Sequence, residues 1–278
     1  MKRILLLLSC LLFVTGSCFA KELPIPDLWS DFFDNLPWSI EEEVSKTPDK
    51  AAEEKREETA PSESETAAGA KKVNSVDLVI ILDKSGSMYS MTEDTIGGFN
   101  SLLDEQRKKD VPVKVSLGVF NQTLEAKYDR KDIKEIENMT AADYVPQGTT
   151  ALLDAVGNTL SALKERPEVN AKGNKVLVVI ITDGMENASK EWKKDSVKNL
   201  ISELKEKGYE FVFLGADIDA VAVAEGIGIN AESSMKFRKT GAGVQANFKA
   251  INVMMEAVSS GGRLMDNANW KKSIVEDK

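Results

Sequence analysis

Three short stretches of the sequence carry side chains whose oxygen atoms could bind a hard metal ion. Asp83, Ser85 and Ser87 alternate along one stretch, so in an extended loop their side chains face the same way. Thr150 lies in a Gly-Thr-Thr-Ala-Leu stretch and Asp183 in a Thr-Asp-Gly stretch. Two carboxylates and three hydroxyls are hard donors, which suit Mg²⁺, Mn²⁺ or Ca²⁺ better than a soft metal. Such a set leaves a coordination position free for an outside ligand.

Two buried strands are predicted immediately before the acids of this set. Residues 76–82 and 175–181 are continuous apolar runs rich in β-branched side chains, with no polar face, which is typical of central parallel strands. Asp83 directly follows the first run, and Asp183 lies two residues after the second. In open α/β sheets, ligands bind outside the carboxyl ends of the strands. The sequence therefore predicts that the three stretches converge at that edge.

The rest of the folded region alternates between strand and helix patterns. This alternation predicts an α/β fold with a mostly parallel central sheet, helices on both faces and one antiparallel edge strand. The C-terminal residues 259–278 show no clear periodicity, and we expect them to be loosely held. The further predicted elements are a hairpin of residues 113–120 and 124–128, a strand at 210–215, and helices at 92–109, 150–165, 194–207, 218–225 and 244–258.

Composition excludes several classes of protein. The 278 residues include no His and two Cys, so His-dependent catalytic triads, His-ligated zinc and four-cysteine metal sites are ruled out. The formal net charge is −9, and residues 21–70 alone carry 14 acids and 5 bases. The remainder is close to neutral and has no basic stripe, so we predict no nucleic-acid partner.

The N-terminus has the pattern of an export signal over residues 1–20. Lys2 and Arg3 precede an apolar run at residues 4–14, and small residues follow. Cleavage after Ala20 would release the protein into the periplasm or the extracellular space. Gly-Ser-Cys at residues 16–18 also resembles a lipoprotein box, in which case Cys18 would carry a lipid anchor to the membrane. Both outcomes are compatible with the sequence.

An acidic low-complexity segment, residues 21–73, separates this signal from the predicted domain at residues 74–258. Its Glu, Lys, Ala, Ser, Thr and Pro content predicts a solvated tether. An aromatic patch at residues 28–38 departs from that composition, with its apolar residues spaced for one face of a short helix. The patch could pack back on the domain or dock to a partner.

The three oxygen-bearing stretches, taken in order, resemble the metal-ion-dependent adhesion site (MIDAS) of von Willebrand factor type A (vWA) domains. The resemblance covers about residues 74–258 and is closest to bacterial exported members. It implies that Ser85, Ser87 and Thr150 bind the metal directly. Thr150 is chosen over Thr149 because the family Thr immediately precedes the Ala-Leu pair.

The same resemblance implies that Asp83 and Asp183 act on the metal, often through bound waters, and that the ion is Mg²⁺ or a similar dication. In this family a partner protein usually completes the metal shell with an Asp or Glu carboxylate. We therefore favour an exported, cation-dependent protein-binding module over an enzyme. Two alternatives stay open: a metal-assisted hydrolase at the same site with Glu186 as base, although Glu186 also suits a solvated loop acid, and docking through residues 28–38.

Overall fold

The computed structural model of the chain describes residues 72–216, 218–264 and 269–275. The predicted signal peptide at residues 1–20, the aromatic patch at 28–38 and nearly all of the tether lie outside the described residues. Within the described residues, no helix is both long and apolar enough to cross a membrane.

The core of the molecule is one six-stranded sheet in the order β3-β2-β1-β4-β5-β6. All neighbouring strands are parallel except β2 and β3, which form an antiparallel hairpin and place β3 at one edge. This architecture confirms the predicted α/β fold class. The strands are β1 (Ser75–Asp83), β2 (Val113–Phe120), β3 (Leu124–Asp132), β4 (Asn174–Thr182), β5 (Tyr209–Ala216) and β6 (Ser234–Phe237).

Helices cover both faces of the sheet because the central strands are apolar on both sides. In β1, Leu78 and Ile80 belong to one hydrophobic cluster, whereas Val79 and Ile81 belong to the other. The first cluster contains residues of α1, α5 and α6, and the second contains residues of α2, α3 and α4. The helices are α1 (Thr92–Arg107), α2 (Leu152–Lys164), α3 (Lys194–Glu206), α4 (Ala220–Gly226), α5 (Gly241–Ser259) and α6 (Asn269–Val275).

Two elements escape prediction from the sequence. The edge strand β6 has only four residues, too few to show a period, and it becomes a strand by pairing in parallel with β5. The C-terminal segment was expected to be loosely held, and that expectation is wrong for its described part. Leu264 and Trp270 are each 2% exposed and pack into the cluster formed by α1 and α5. Their burial explains why α6 forms on a segment with little periodicity of its own.

The strand order creates a crevice above β1 and β4. From β1 the chain passes to β2 on one side, and after the hairpin it returns to form β4 on the other side of β1. The two connections therefore diverge at this point, which is where open parallel sheets bind ligands. Leu82 is in register with Ile181, so Asp83 and Thr182 end neighbouring strands at the same edge.

Candidate metal centre

Asp83 lies at the base of the crevice with its carboxylate fixed by two short hydrogen bonds. The backbone N–H of Ser85 donates to Oδ1 at 2.6 Å, and the hydroxyl of Thr182 donates to Oδ2 at 2.6 Å. Asp83 has no exposed surface. Burial raises the pKa of Asp83 to about 6, although hydrogen bonds from Thr182 and Ser85 act in the opposite direction, and the charge of Asp183 adds to the rise.

A chain of hydroxyls connects the first loop to the end of β4. Ser87 Oγ donates to Asp183 Oδ1 at 2.6 Å, and Ser85 Oγ lies 3.0 Å from Ser87 Oγ. Because the Ser87 proton is directed to the carboxylate, Ser85 is the donor in the hydroxyl pair. Three of the predicted ligands, Ser85, Ser87 and Asp183, are thus in direct contact, although they come from positions almost 100 residues apart.

The second carboxylate oxygen of Asp183 faces a cation that is not predicted from the sequence. Lys239 Nζ lies 2.6 Å from Asp183 Oδ2, and the Asp183 side chain is fully buried. The ammonium is off the hydrogen-bond direction, and within the described residues no other donor is aligned with this oxygen. Lys239 comes from the loop between β6 and α5, so a fourth segment of chain reaches the crevice.

Thr150 completes the set from the loop before α2. The Cβ that a side chain at Gly184 would carry lies 2.7 Å from Thr150 Oγ1 and 3.6 Å from Asp83 Oδ2, so the Thr150 hydroxyl and the Asp83 carboxylate flank the same backbone position. Thr150 is 3% exposed, whereas its neighbour Thr149 is exposed. A helix is predicted to begin at Thr150 but begins at Leu152, because the Thr150 carbonyl accepts from Asn187 N and the Asp154 N–H donates to Ser189 Oγ, so the first helical hydrogen bond between them does not form.

The loops of the crevice are tied together through their backbones. Gly86 N donates to Gly148 O at 3.1 Å, and Gln147 N donates to Lys84 O at 2.8 Å. Gly148 has a φ of +80°, and an added Cβ would lie 1.9 Å from the Gln122 side chain, so glycine is required there. These bonds hold the loop carrying Thr150 against the loop carrying the two serines.

Tyr144 supports Asp83 from beneath. Its hydroxyl donates to the backbone carbonyl of Asp83 at 2.5 Å, and the residue has no exposed surface. Burial raises the pKa of Tyr144 well above its usual value, so the phenol keeps its proton and remains a donor. The aromatic ring thereby fixes the end of β1 from a loop more than 60 residues further along the chain.

The arrangement suits a hard dication. Within the described residues there is no group of three or more His, Cys, Asp and Glu side chains positioned to hold a metal, so a carboxylate-rich or soft-ligand site is absent there. The crevice instead offers two acids and three hydroxyls, and the buried Asp183 Oδ2 faces the Lys239 ammonium and has no hydrogen-bond donor among the described residues. Oxygen donors of this kind fit Mg²⁺ or Mn²⁺, which keep several waters and bind through few carboxylates. The five residues that could hold such an ion are the predicted set of Asp83, Ser85, Ser87, Thr150 and Asp183.

The sequence assigns no role at the site to three of its neighbours. The hydroxyl of Thr182, at the end of β4, orients Asp83. Tyr144 and Lys239 reach the crevice from loops outside the three oxygen-bearing stretches. Thr182 ends a predicted strand beside the one that ends at Asp83, and this is a usable signal because both residues then lie at the same edge of the sheet. For Lys239 no sequence signal exists.

Glu186 is a structural acid, and the expectation of a solvated loop carboxylate is wrong. It is half-buried and accepts hydrogen bonds from the N–H groups of Leu153, Ala188 and Ser189 at 2.8–2.9 Å and from the Ser189 hydroxyl at 2.7 Å. Burial favours a raised pKa, but these hydrogen bonds outweigh it and lower the pKa of Glu186. A carboxylate committed to four donors at the start of α2 is a poor general base.

Comparison with known proteins identifies the family. The profile of the von Willebrand factor type A domain matches residues 77–248, more than half of the chain. The chain therefore belongs to the vWA domain family. No curated protein matches the sequence.

Solved structures with similar folds come from diverse organisms. The manganese-loaded TRAP protein of Plasmodium vivax is 18% identical, over 66% of this chain and 72% of that chain, with a TM-score of 0.48. The vWF domain of the type V pili tip protein Mfa5 from Porphyromonas gingivalis is 11% identical, over 66% and 96%, with a TM-score of 0.49. Proximal thread matrix protein 1 from the mussel byssus, with a zinc-occupied MIDAS motif, is 16% identical, over 69% and 46%, with a TM-score of 0.46. This chain thus spans less than half the length of the mussel protein.

Proposed function

We propose that this chain is an exported protein-binding module that captures a partner carboxylate through a divalent cation. Ser85, Ser87 and Thr150 would hold the ion directly, and Asp83 and Asp183 would balance its charge. A dication facing two acids is close to neutral, so an incoming Asp or Glu of a partner meets little repulsion. Mg²⁺ is the expected ion, and Mn²⁺ or Ca²⁺ are expected to substitute for it.

One observation carries this proposal: side chains from separated segments bring hydroxyl and carboxylate oxygens together at the ends of β1 and β4, with Ser87 Oγ 2.6 Å from Asp183 Oδ1 and 3.0 Å from Ser85 Oγ. Oxygen atoms gathered in this way are the donors that a hard cation needs. The metal supplies a Lewis-acidic position for an outside oxygen. The residues around it orient that position and keep the acids apart from bulk water.

The hydrolase alternative has less support. Its proposed base, Glu186, accepts hydrogen bonds from α2 and from its own loop between β4 and α3. Both of its carboxylate oxygens are engaged in this way. Turnover of phosphate or acyl esters that disappears in both Asp83→Ala and Glu186→Ala would favour an enzyme over a binding module.

Export and its destination rest on the sequence of residues 1–20. Cleavage to a soluble periplasmic or extracellular protein and lipid anchoring at Cys18 predict different products. Mass spectrometry of the mature protein separates them, because only the second leaves an acylated N-terminal cysteine. Residues 28–38 remain a candidate docking segment.

Capture of a partner in the presence and absence of metal tests the proposed function. The immobilised protein is incubated with envelope extract in Mg²⁺ and washed with EDTA, in parallel with a Ser85→Ala/Ser87→Ala variant. We expect a protein that is retained in Mg²⁺, released by EDTA and absent from the variant. Replacing that partner's acids one at a time should then abolish capture at a single Asp or Glu. Identical retention by both proteins, with and without EDTA, would refute a metal-dependent site.

A further inference from the structure

Large apolar side chains are exposed in the segments that carry the predicted metal ligands. Among the described residues, the exposed large hydrophobic side chains are Tyr89 (76% exposed), Met185 (67%), Val145 (53%) and Val221 (38%). The first three lie in segments that carry predicted ligands: Tyr89 is two residues after Ser87, within the 3₁₀ helix Gly86–Met91, Met185 is two after Asp183, and Val145 precedes Thr150 by five. We call Tyr89, Val145 and Met185 the apolar collar.

The backbone that carries the collar residues is held in place by buried or closely packed neighbours in the chain. Met88, next to Tyr89, is buried in the core, and Tyr144, next to Val145, is buried beneath Asp83. Met185 follows Gly184, whose close approach to Thr150 leaves no room for a side chain. When a partner covers an exposed apolar side chain on a fixed backbone, the burial is favourable and little conformational entropy is lost. Such side chains are typical of recognition surfaces.

Two ammonium groups close to the predicted ligands are already paired. Lys84 forms an ion pair with Glu125 at 2.7 Å, and Lys239 forms one with Asp183 at 2.6 Å. These two ammonium groups are therefore not free to receive a second acid of a partner. The metal calls for one carboxylate, and the collar calls for apolar groups beside it.

We propose that the site binds a protein segment in which one Asp or Glu is flanked on both sides by large apolar side chains. The carboxylate would reach the metal, and the flanking side chains would cover Tyr89, Val145 and Met185. This inference rests on the proposed function and adds the chemistry of the partner to it. Selectivity among acidic segments would then come from the collar, since any carboxylate satisfies the ion equally.

Three fluorescent peptides provide the probe. The first is Gly-Ser-Leu-Phe-Asp-Phe-Leu-Gly-Ser, the second has Asn in place of Asp, and the third has Ser in place of its four apolar residues. Each is titrated with the full chain in Mg²⁺ and in EDTA, and binding is followed by fluorescence polarisation. We expect the first peptide to bind at least about tenfold more tightly than either of the others, and only in Mg²⁺.

Variants separate the collar from the metal. Tyr89→Ser/Met185→Ser should lose the preference for the first peptide over the third, while Mg²⁺ affinity measured by calorimetry stays within about twofold. Val221→Ser is the matched control, because it removes an exposed apolar side chain from a helix that carries no predicted ligand, and it should keep the preference.

The outcomes distinguish this inference from the proposed function. Equal Mg²⁺-dependent binding of the first and third peptides overturns the collar inference and leaves carboxylate capture intact. A preference that survives in Tyr89→Ser/Met185→Ser also overturns it. Equal binding of the Asp and Asn peptides, or binding unchanged by EDTA, refutes carboxylate capture itself.

Discussion

The ammonium of Lys239 lies 2.6 Å from Asp183 Oδ2, inside the crevice that holds the predicted metal ligands. The Asp183 side chain is completely buried, whereas the Lys239 side chain keeps about a quarter of its surface in water. A buried carboxylate needs a counter-charge, and here the protein itself supplies one. A dication binding beside Asp183 must compete with this ammonium or displace it.

Replacing Lys239 by Met should therefore raise the affinity for Mg²⁺. An ion pair with one partly exposed partner is worth about 1 kcal/mol, which corresponds to about a fivefold gain in affinity. The same change should lower the thermal stability of the protein in EDTA, since Asp183 then lacks a counter-charge. Calorimetry and thermal unfolding measure the two effects, and the exposed Lys236→Met, three residues away, is the control. Unchanged Mg²⁺ affinity in Lys239→Met would mean that the ammonium and the metal do not compete.

The raised pKa of Asp83 predicts how stability depends on pH without metal. Because the pKa of Asp83 is about 6 in the folded protein and 3.8 in its unperturbed state, the folded state binds more protons between these values. The free energy of unfolding should therefore fall as pH rises from about 4 to about 6, and level off above. Ionised Asp83 would cost about 3 kcal/mol of stability.

Asp83→Asn isolates this effect, because an amide can still accept from the Ser85 N–H and donate to the Thr182 hydroxyl. Urea unfolding of both proteins in EDTA, at intervals from pH 4 to pH 7, gives the difference between them. We expect the free energy of unfolding of the variant to rise relative to that of the natural protein as pH increases through this range. A difference that stays constant would show that Asp83 titrates at its ordinary pKa.

Gly184→Ala should weaken metal binding while the fold is kept. A Cβ at this position would lie 2.7 Å from Thr150 Oγ1, so the hydroxyl must move. Losses of about 10- to 100-fold in metal affinity are typical when the surroundings of a ligand are disturbed. Calorimetry with Mg²⁺ measures the loss. Gly97→Ala serves as the control, since nothing lies within 4 Å of its Cβ position, and there Mg²⁺ affinity should not change.

Glu186→Ala tests the structural role of that acid. The variant removes the acceptor for the Leu153 N–H at the start of α2. It also removes the acceptor for two N–H groups of the loop between β4 and α3. We expect a loss of about 1–2 kcal/mol in the free energy of unfolding, the usual cost of a lost helix cap. Glu137→Ala, at an exposed position, should lose much less. If both variants have equal stability, the acid does not anchor the helix.

Much of the fold follows from local patterns. The apolar runs of β1 and β4 predict central strands because strands buried on both faces have no polar side. The same reasoning leads to the crevice, since acids at the ends of two neighbouring parallel strands must meet. In contrast, β6 forms by pairing with the free edge of β5. The helix α6 forms because Trp270 is buried in the hydrophobic cluster of α1 and α5. Such elements depend on tertiary packing and leave little trace in a single sequence.

The candidate site divides in the same way. Asp83, Ser85 and Ser87 are close in sequence, so their proximity is predictable, but the predicted alternation along an extended loop is wrong for Ser87, which lies in a 3₁₀ helix at Gly86–Met91. Tyr144 and Lys239 arrive from distant loops whose course depends on the whole chain. Local spacing predicts the ligands, but the groups that orient and neutralise them are placed by packing.

A crystal structure of the protein with Mn²⁺, phased at the manganese absorption edge, tests the metal site most directly. We predict one strong anomalous peak in the crevice, about 2.2 Å from the hydroxyl oxygens of Ser85, Ser87 and Thr150, with the carboxylates of Asp83 and Asp183 in contact directly or through water. A peak elsewhere on the protein, or none at saturating Mn²⁺, would contradict the assignment of these five residues to a metal.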